Sequence, residues 1–416
     1  MSKSFESLSD KLRSLGVQTG LEKKLARPEK RLGIEDVVSG IFKNTSCGPV
    51  FCSELSTENT YTHGKVAFQA EPIHHELIHW ADSSLSSSSL DLESILFLDT
   101  ETTGLSGGTG TIPFMIGVGR FTGDIFTTYQ IFLRNPGEER AQLELLYQFF
   151  RDIKSIATYN GKAFDAPILK TRFILNGLPS PFDGLAHFDL LPLSRRLWKR
   201  RLENRTLKDI ETEILGFQRS QMEVPGWEVP LLYFDYLRTG DPTPMTGVFY
   251  HNAVDVQSLA ALFLYINRML TRLDTDREIP PVDILSLAIQ YESTGQIDRA
   301  ISLYERLLEI ELSEKHNTEL RLRYARIMKR NGDFSKATTI LTSDEGGMDT
   351  QRIIQLAKVL EHQQQDIICA LEWTELALSR LEKSNQVDTS ILLHRQKMDL
   401  LKRRDRLKSK LGKMDD

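Results

Sequence analysis

The chain predicts an α/β domain, a mixed sheet flanked by helices, followed by an all-α region of helical repeats. Three observations carry this prediction. Between residues 94 and 189, apolar β-type runs and helical runs follow in the order strand, strand, strand, helix, strand, helix, strand. From Asp283 onward the strand-like runs vanish. In that second region Ala300, Ala337 and Ala370 recur 37 and 33 residues apart, each just after a turn signal. At 416 residues there is room for two or three domains. The expected boundaries are 1–90 for an N-terminal extension, 91–275 for the α/β domain and 283–416 for the repeats.

The opening segment, MSKSFESLSDKLRSLG, alternates charged and apolar residues and predicts a surface helix without a signal-peptide core. The extension ends in a serine cluster, Ser83, Ser84 and Ser86 to Ser89, which reads as a loop. Strands are expected over Ser94–Asp99, Phe114–Phe121 and Ile125–Leu133, then a helix over Glu138–Ile153. A short strand ending at Asn160, a helix near Ala166–Asn176 and a strand at Ala186–Asp189 complete the domain. Three sequential strands followed by βαβα units suit a mixed sheet covered by helices. In the repeat region Gly295, Gly332 and Asp366 mark the turns, and LSLAIQYESTGQIDRAISLYERLLEI reads as helix, turn, helix. A period near 34 is the tetratricopeptide spacing, with an irregular helical bundle as the alternative. Either suits a protein partner better than chemistry.

No apolar run approaches the roughly 20 residues that cross a bilayer, so no membrane partner is expected. Cys47, Cys52 and Cys369 show no CxxC spacing, which fits a reducing, cytoplasmic setting. The net charge of −5 argues against sequence-independent binding of polyanions. Its distribution matters more: Arg195, Arg196, Lys199, Arg200, Arg201, Arg205 and Lys208 face a single acid, Glu203. On one helical face they would track a phosphate backbone; otherwise they are a solvated surface. The basic tail from Arg395 to Lys413 reads as a solvated helix end.

Four carboxylates carry the chemistry. Asp99 and Glu101 end the apolar run Ile95–Leu98 in LFLDTETTGL. Residues two apart on a strand share a face, so the two carboxylates converge. Converging carboxylates repel, and a divalent cation between them is the usual remedy. Asp165 in ATYNGKAFDAPIL and Asp255 in YHNAVDVQSLAAL are each expected at a helix edge, placed to close a two-metal nuclease site.

DxE with TTGL, then YNGxxFD, then a final H/Y-to-D motif resembles the DEDD superfamily of 3′–5′ exonucleases, which have a ribonuclease H-like fold. DTETTGLSGGTGTIPFMIG and HFDLLPLSRRLWKRRLENRTLKDIE are similar to a group of bacterial exonuclease-like proteins that carry tetratricopeptide-type repeats after this domain. The likeness covers roughly residues 92 to 272. It implies two divalent ions about 4 Å apart, Mg²⁺ or Mn²⁺ on hard oxygen ligands. By the resemblance Asp99 would bridge both ions, Glu101 and Asp255 would hold the water-activating one, and Asp165 the second. The family places a Tyr four residues, or a His five residues, before the final Asp. Here the spacings are swapped: His251 lies four before Asp255 and Tyr250 five before it. Helical spacing and a near-neutral titration favour His251 as the base, with Tyr250 as the alternative. Thr102, Gly104 and Leu105 correspond to the place where the family passes the 3′-terminal nucleotide. Asn160 and Phe164 flank Asp165, in reach of the scissile nucleotide. Leu105 and Phe164 read equally well as core residues. Asp189 is either a fifth acid near the site or a helix cap. The resemblance implies a nucleic acid 3′ end, DNA or RNA, as substrate, and a single basic stripe with negative net charge suits a single strand.

Two other readings compete. His75-Glu76-Leu77-Ile78-His79 is a literal HExxH, the motif of zinc proteases; His74 or His63 could add a ligand to a structural zinc, or the histidines could be unligated. The remaining reading is a non-catalytic scaffold on a decayed nuclease fold.

Overall fold

The computed structural model describes residues 32–58, 60–81, 90–104, 110–342, 348–384 and 391–413. The expected N-terminal helix, the serine cluster and Leu105 lie outside them. Among the described residues the main sheet has seven strands. β1 (Ile41–Thr45) and β2 (Gly48–Ser56) form a hairpin; β3 (Thr62–His63) and β4 (Val66–Ala67) form a separate ribbon. β5 (Ile95–Thr102), β6 (Pro113–Thr122), β7 (Ile125–Phe132), β8 (Ser155–Thr158) and β9 (Ala186–Asp189) follow, and the order across the sheet is β1-β2-β7-β6-β5-β8-β9. β5 pairs antiparallel with β6 and parallel with β8, and β8 pairs parallel with β9. This is the mixed, ribonuclease H-like sheet that the strand order predicts. The hairpin from the N-terminal extension enlarges it, because β2 pairs antiparallel with β7.

The helices in chain order begin with α1 (His75–Ala81), α2 (Glu139–Phe149), α3 (Asp165–Leu175) and α4 (Leu190–Trp198). Then come α5 (Leu207–Ile210), continued by a π-turn at Glu211–Leu215, α6 (Val229–Thr239) and the long α7 (Met245–Thr271). The repeat region holds the hairpins α8 (Pro281–Ser293) with α9 (Ile297–Leu308), α10 (Glu314–Arg330) with α11 (Phe334–Thr342), and α12 (Thr350–Val359) with α13 (Ile367–Ser384). Its last helix is α14 (Ile391–Gly412).

Strand β5 is buried on both faces, which explains its unbroken apolar run. Leu96 and Leu98 pack with Leu146, Leu169 and Phe173 of α2 and α3. Ile95 and Phe97 pack on the other side with Val256, Leu259 and Phe263 of α7. Alternation therefore aims Asp99 and Glu101 at α7, and Thr100 at α3. Helix α7 can lie this close because β6 carries glycine at Gly117, the register partner of Asp99. A Cβ there would sit 2.3 Å from Asn252 Oδ1 and 2.8 Å from Val256 Cγ2.

The repeat region continues the same core. Leu193, Leu197 and Trp198 of α4 join one buried cluster with Ile284, Leu285 and Ala288 of α8. Ala300, Ala337 and Ala370 are fully buried at helix-hairpin contacts. Gly295 and Gly332 take left-handed φ of 82° and 81° at the turns. The third turn departs from the expectation: Gln365, with φ 57°, holds the position equivalent to the glycines, and Asp366 follows it. The π-turn Leu360–Gln364 precedes it, so the glycine-like conformation falls one residue earlier than Asp366.

The basic stripe also differs from the expectation. Helix α4 ends at Trp198, so residues 195–208 do not share one helical face. Arg200 forms a two-pronged pair with Glu319 at 2.6 and 2.8 Å, and Arg201 pairs with Asp283 at 2.8 Å. These guanidiniums fasten the repeats to the sheet domain. The HExxH helix serves the same joint: buried Glu76 accepts a hydrogen bond from Gln296 Nε2 at 2.5 Å, and Trp80 meets Tyr291 edge-on at 5.4 Å. His75 and His79 point outward and join no group of three potential ligands among the described residues. His63 is enclosed, hydrogen-bonded to Tyr61 and Ser258 and stacked on Phe217. This organisation opposes the zinc readings.

Candidate metal centre

Each sequence-predicted acid lies near the carboxyl end of a parallel strand or on α7 against it, the crevice where open α/β sheets bind ligands. Asp99 and Glu101 close β5, beside an irregular register step at Glu101/Thr102. After β8, Asn160 adopts a left-handed φ of 69°, and Gly161 has no room for a Cβ, which would lie 2.4 Å from Thr158 Oγ1. This turn starts α3 at Asp165, buried and hydrogen-bonded by Thr100 Oγ1 at 2.5 Å. Arg172, paired with Glu139 of α2, anchors that helix from behind. Asp255 lies in the interior of α7 rather than at a helix edge, one turn after His251.

Glu101, His251 and Asp255 bring one donor atom each within 4.8 Å of one another. His251 Nε2 is 3.5 Å from Asp255 Oδ2 and 3.8 Å from Glu101 Oε1. The three side chains are only 13 to 15% exposed. Asp99 is joined to α7 by a hydrogen bond from Asn252 Nδ2, 2.9 Å long, and Gln130 fixes Asn252 in turn. Burial, and then the neighbouring charges of Asp255, Glu101 and Asp165, hold the Asp99 carboxyl well above the ordinary range. Burial pushes Glu101 up to about 7 and Asp165 up to about 6. For His251, burial pulls the imidazole down, but Asp255, Glu101 and Glu223 outweigh it and raise its pKa. Desolvated carboxylates that repel one another are a set that a divalent cation would stabilise, and their oxygen atoms suit a hard ion. The residues present fit such a centre.

Several neighbours of the cluster carry no signal in the local sequence. Arg219 reaches into the cluster from the segment after α5. It is hydrogen-bonded twice to buried Glu211, at 2.6 and 2.7 Å, pairs with Asp255, and meets Glu223 at 2.9 Å and His251 Nδ1 at 3.2 Å. A buried relay continues from Glu211 to Ser258 at 2.7 Å and from Ser258 to His63 at 2.8 Å. Glu223 also holds His251 Nδ1 at 3.0 Å. Tyr250, the alternative base, turns its hydroxyl to accept from Ser220 N at 2.7 Å. Asp189 caps α4 through Leu191 N and receives Asn160 N and Lys162 N, so it braces the turn before Asp165. Thr102 is buried, with Oγ1 donating to Gly104 O, while Asn160 is exposed and Phe164 half-exposed.

Comparison with known proteins agrees with this architecture. Residues 96–267 match the RNase_H superfamily, and residues 293–343 match the tetratricopeptide repeat. A Bacillus subtilis (strain 168) protein, described as "Uncharacterized protein YprB", is 32% identical over 353 residues, 82% of each chain. A family B DNA polymerase from the archaeon Pyrobaculum calidifontis aligns over 56% of this chain and 29% of its own, at 18% identity and a TM-score of 0.32, a likeness that bears no argument. By the extent of the Bacillus match, the chain belongs to the YprB-like family, with an RNase H superfamily domain followed by a tetratricopeptide repeat region.

Proposed function

We propose that this protein is a DEDD-type 3′–5′ exonuclease acting on single-stranded nucleic acid. The observation that carries the proposal is the convergence of Glu101, His251 and Asp255 beside the desolvated carboxylates of Asp99 and Asp165. In this reading Asp99, Glu101, Asp165 and Asp255 hold two Mg²⁺ or Mn²⁺ ions. Such ions supply an activated water and charge stabilisation for the departing 3′-oxygen. The chain's own residues do the rest. His251, oriented by Glu223 through Nδ1, presents Nε2 toward the acids and takes the proton of the attacking water. Tyr250 anchors the Arg219 segment rather than acting as base. Asn252 fixes Asp99, and Arg219 fixes Asp255.

The substrate class rests on surface chemistry around that crevice. Trp227 is 64% exposed and follows Gly226, where a Cβ would come within 3.9 Å of the His251 ring. An exposed indole one residue from this approach to His251 suits stacking of an unpaired base. Thr102, Gly104, Asn160 and Phe164 complete the proposed path of the 3′-terminal nucleotides, and Leu105 joins them by the resemblance alone. Arg195, Arg196 and Lys199 remain exposed for phosphates, so affinity should fall as salt rises.

The test is degradation of 5′-labelled single-stranded DNA and RNA with Mn²⁺ or EDTA, comparing wild type with Asp99→Ala. A metal-dependent ladder shrinking from the 3′ end, slowed roughly a thousandfold or more in the variant, is expected. Cleavage that survives Asp99→Ala would sink the mechanism. No cleavage of either polymer would favour a scaffold.

A further inference from the structure

We propose that the groove between the repeats and the last helix is a docking site for an acidic peptide segment of a partner protein. The groove encloses about 730 Å³ between α10, α12 and α14, on the repeat region and away from the acid cluster. It stands independently of the nuclease reading.

Among the described residues six cations line it, and four of them, Arg326, Lys329, Lys358 and Lys402, form no ion pair there. Among the described residues Asp399 is the one acid in the lining. Burial, and then the charges of Lys358 and Arg326, lower the affinity of Lys329 for its proton. These like charges therefore crowd one another at a cost that an incoming anion would relieve. Two further cations of the lining, beside Lys402 on α14, have partners instead. Arg403 and Arg406, on the same helix, both close on Glu361, and Lys410 joins them at 3.2 Å. That cluster fastens α14 against the third repeat and builds the wall of the groove.

The remaining lining decides between an acidic peptide and a nucleic acid. Its floor is aliphatic, from Leu322, Ala325, Leu341 and Leu400, and among the described residues it contains no aromatic ring. Single-stranded nucleic acid sites combine positive charge with aromatic stacking platforms, which are missing here. Gln351, Gln355 and Gln396 offer amides that can pair with an extended peptide backbone. Cationic rim, aliphatic floor and amides together fit a strand in which Asp or Glu alternates with leucine-like side chains.

Fluorescence anisotropy of the full chain tests this, with three labelled probes: a short peptide of alternating Glu and Leu, its Gln–Leu counterpart, and oligo-dT in EDTA. The Glu–Leu peptide should bind and the Gln–Leu peptide should not. Lys329→Gln with Lys358→Gln should weaken binding roughly tenfold or more, while Lys315→Gln, outside the groove, should not. Thermal melts check that the double variant folds; should it not, the exposed Lys402→Gln replaces it. Failure of the Glu–Leu peptide to bind would overturn the proposal, as would equal binding of both peptides. Tighter binding of oligo-dT, lost in the same variants, would make the groove a nucleic-acid site instead.

Discussion

Removing Arg219 should cost this fold more than any surface arginine would. Its side chain is 7% exposed, and Glu211, its two-pronged partner, is 1% exposed. In Arg219→Met the Glu211 carboxylate keeps only the hydroxyl of Ser258, at 2.7 Å, inside the core. An uncompensated buried charge of this kind costs about 3–5 kcal/mol. Asp255 and Glu223 lose the same guanidinium, but each is 15% exposed and can recover water. The larger share therefore traces to Glu211. Arg219→Met with Glu211→Gln removes that charge while keeping an acceptor for Ser258, and should recover about 1–3 kcal/mol. Urea unfolding of wild type, each single variant and the double variant, followed by circular dichroism, measures the coupling. A loss below about 1 kcal/mol in Arg219→Met would refute the reasoning, as would a double variant no more stable than that single one.

Three further outcomes are expected. Gly117→Ala places a Cβ against Asn252 Oδ1 and should cost about 1–3 kcal/mol by pushing α7 off β6, with any nuclease activity falling alongside; unchanged melting would contradict the close approach. His63, driven down to about 3 by burial and then by Arg219, stays neutral in the fold while the unfolded chain takes up a proton below about 6.5. Stability is thus complete above that value and lost as pH falls toward 3, by up to about 1.4 kcal/mol per pH unit from this group. Urea midpoints between about pH 7 and pH 5 should therefore depend less steeply on pH in His63→Gln, and equal slopes would exclude a buried neutral His63. Gln365→Gly relieves a left-handed φ of 57° and should stabilise the repeats by about 1 kcal/mol, read as a higher thermal midpoint; a lower one would show that Gln365 is not strained.

Local patterning made much of the sheet domain legible. The unbroken apolar run before Asp99 is what a strand buried on both faces requires, and the strand period aims Asp99 and Glu101 together. The strand expected to end at Asn160 stops at Thr158, because the turn after it needs a left-handed φ at Asn160 and a Gly161 with no space for a Cβ. The motif places Asp255 at a helix edge, whereas it lies inside α7, since nothing in the local sequence says that this helix runs on through it. Arg219 gave no local signal. It stands in the stretch QRSQM, and its role exists only because the chain folds back between the π-turn at Glu211 and helix α7.

The misleading motifs share a physical cause. HExxH has the helical spacing of a zinc site, yet spacing does not say which face is buried. Here the glutamate points into the joint with the repeats, while both histidines face outward. The basic run at 195–208 likewise has the composition of a phosphate track. Its Arg200 instead meets Glu319, 119 residues onward, and Arg201 meets Asp283, 82 residues onward. A cation's function depends on whether the fold supplies an acid within reach, and that acid can come from anywhere in the chain. The same rule separates neighbouring cations on α14: Arg403 and Arg406 are consumed by Glu361, whereas Lys402 opens on the groove with Arg326, Lys329 and Lys358. Recognition of an outside anion is left to the charges that the chain does not neutralise itself.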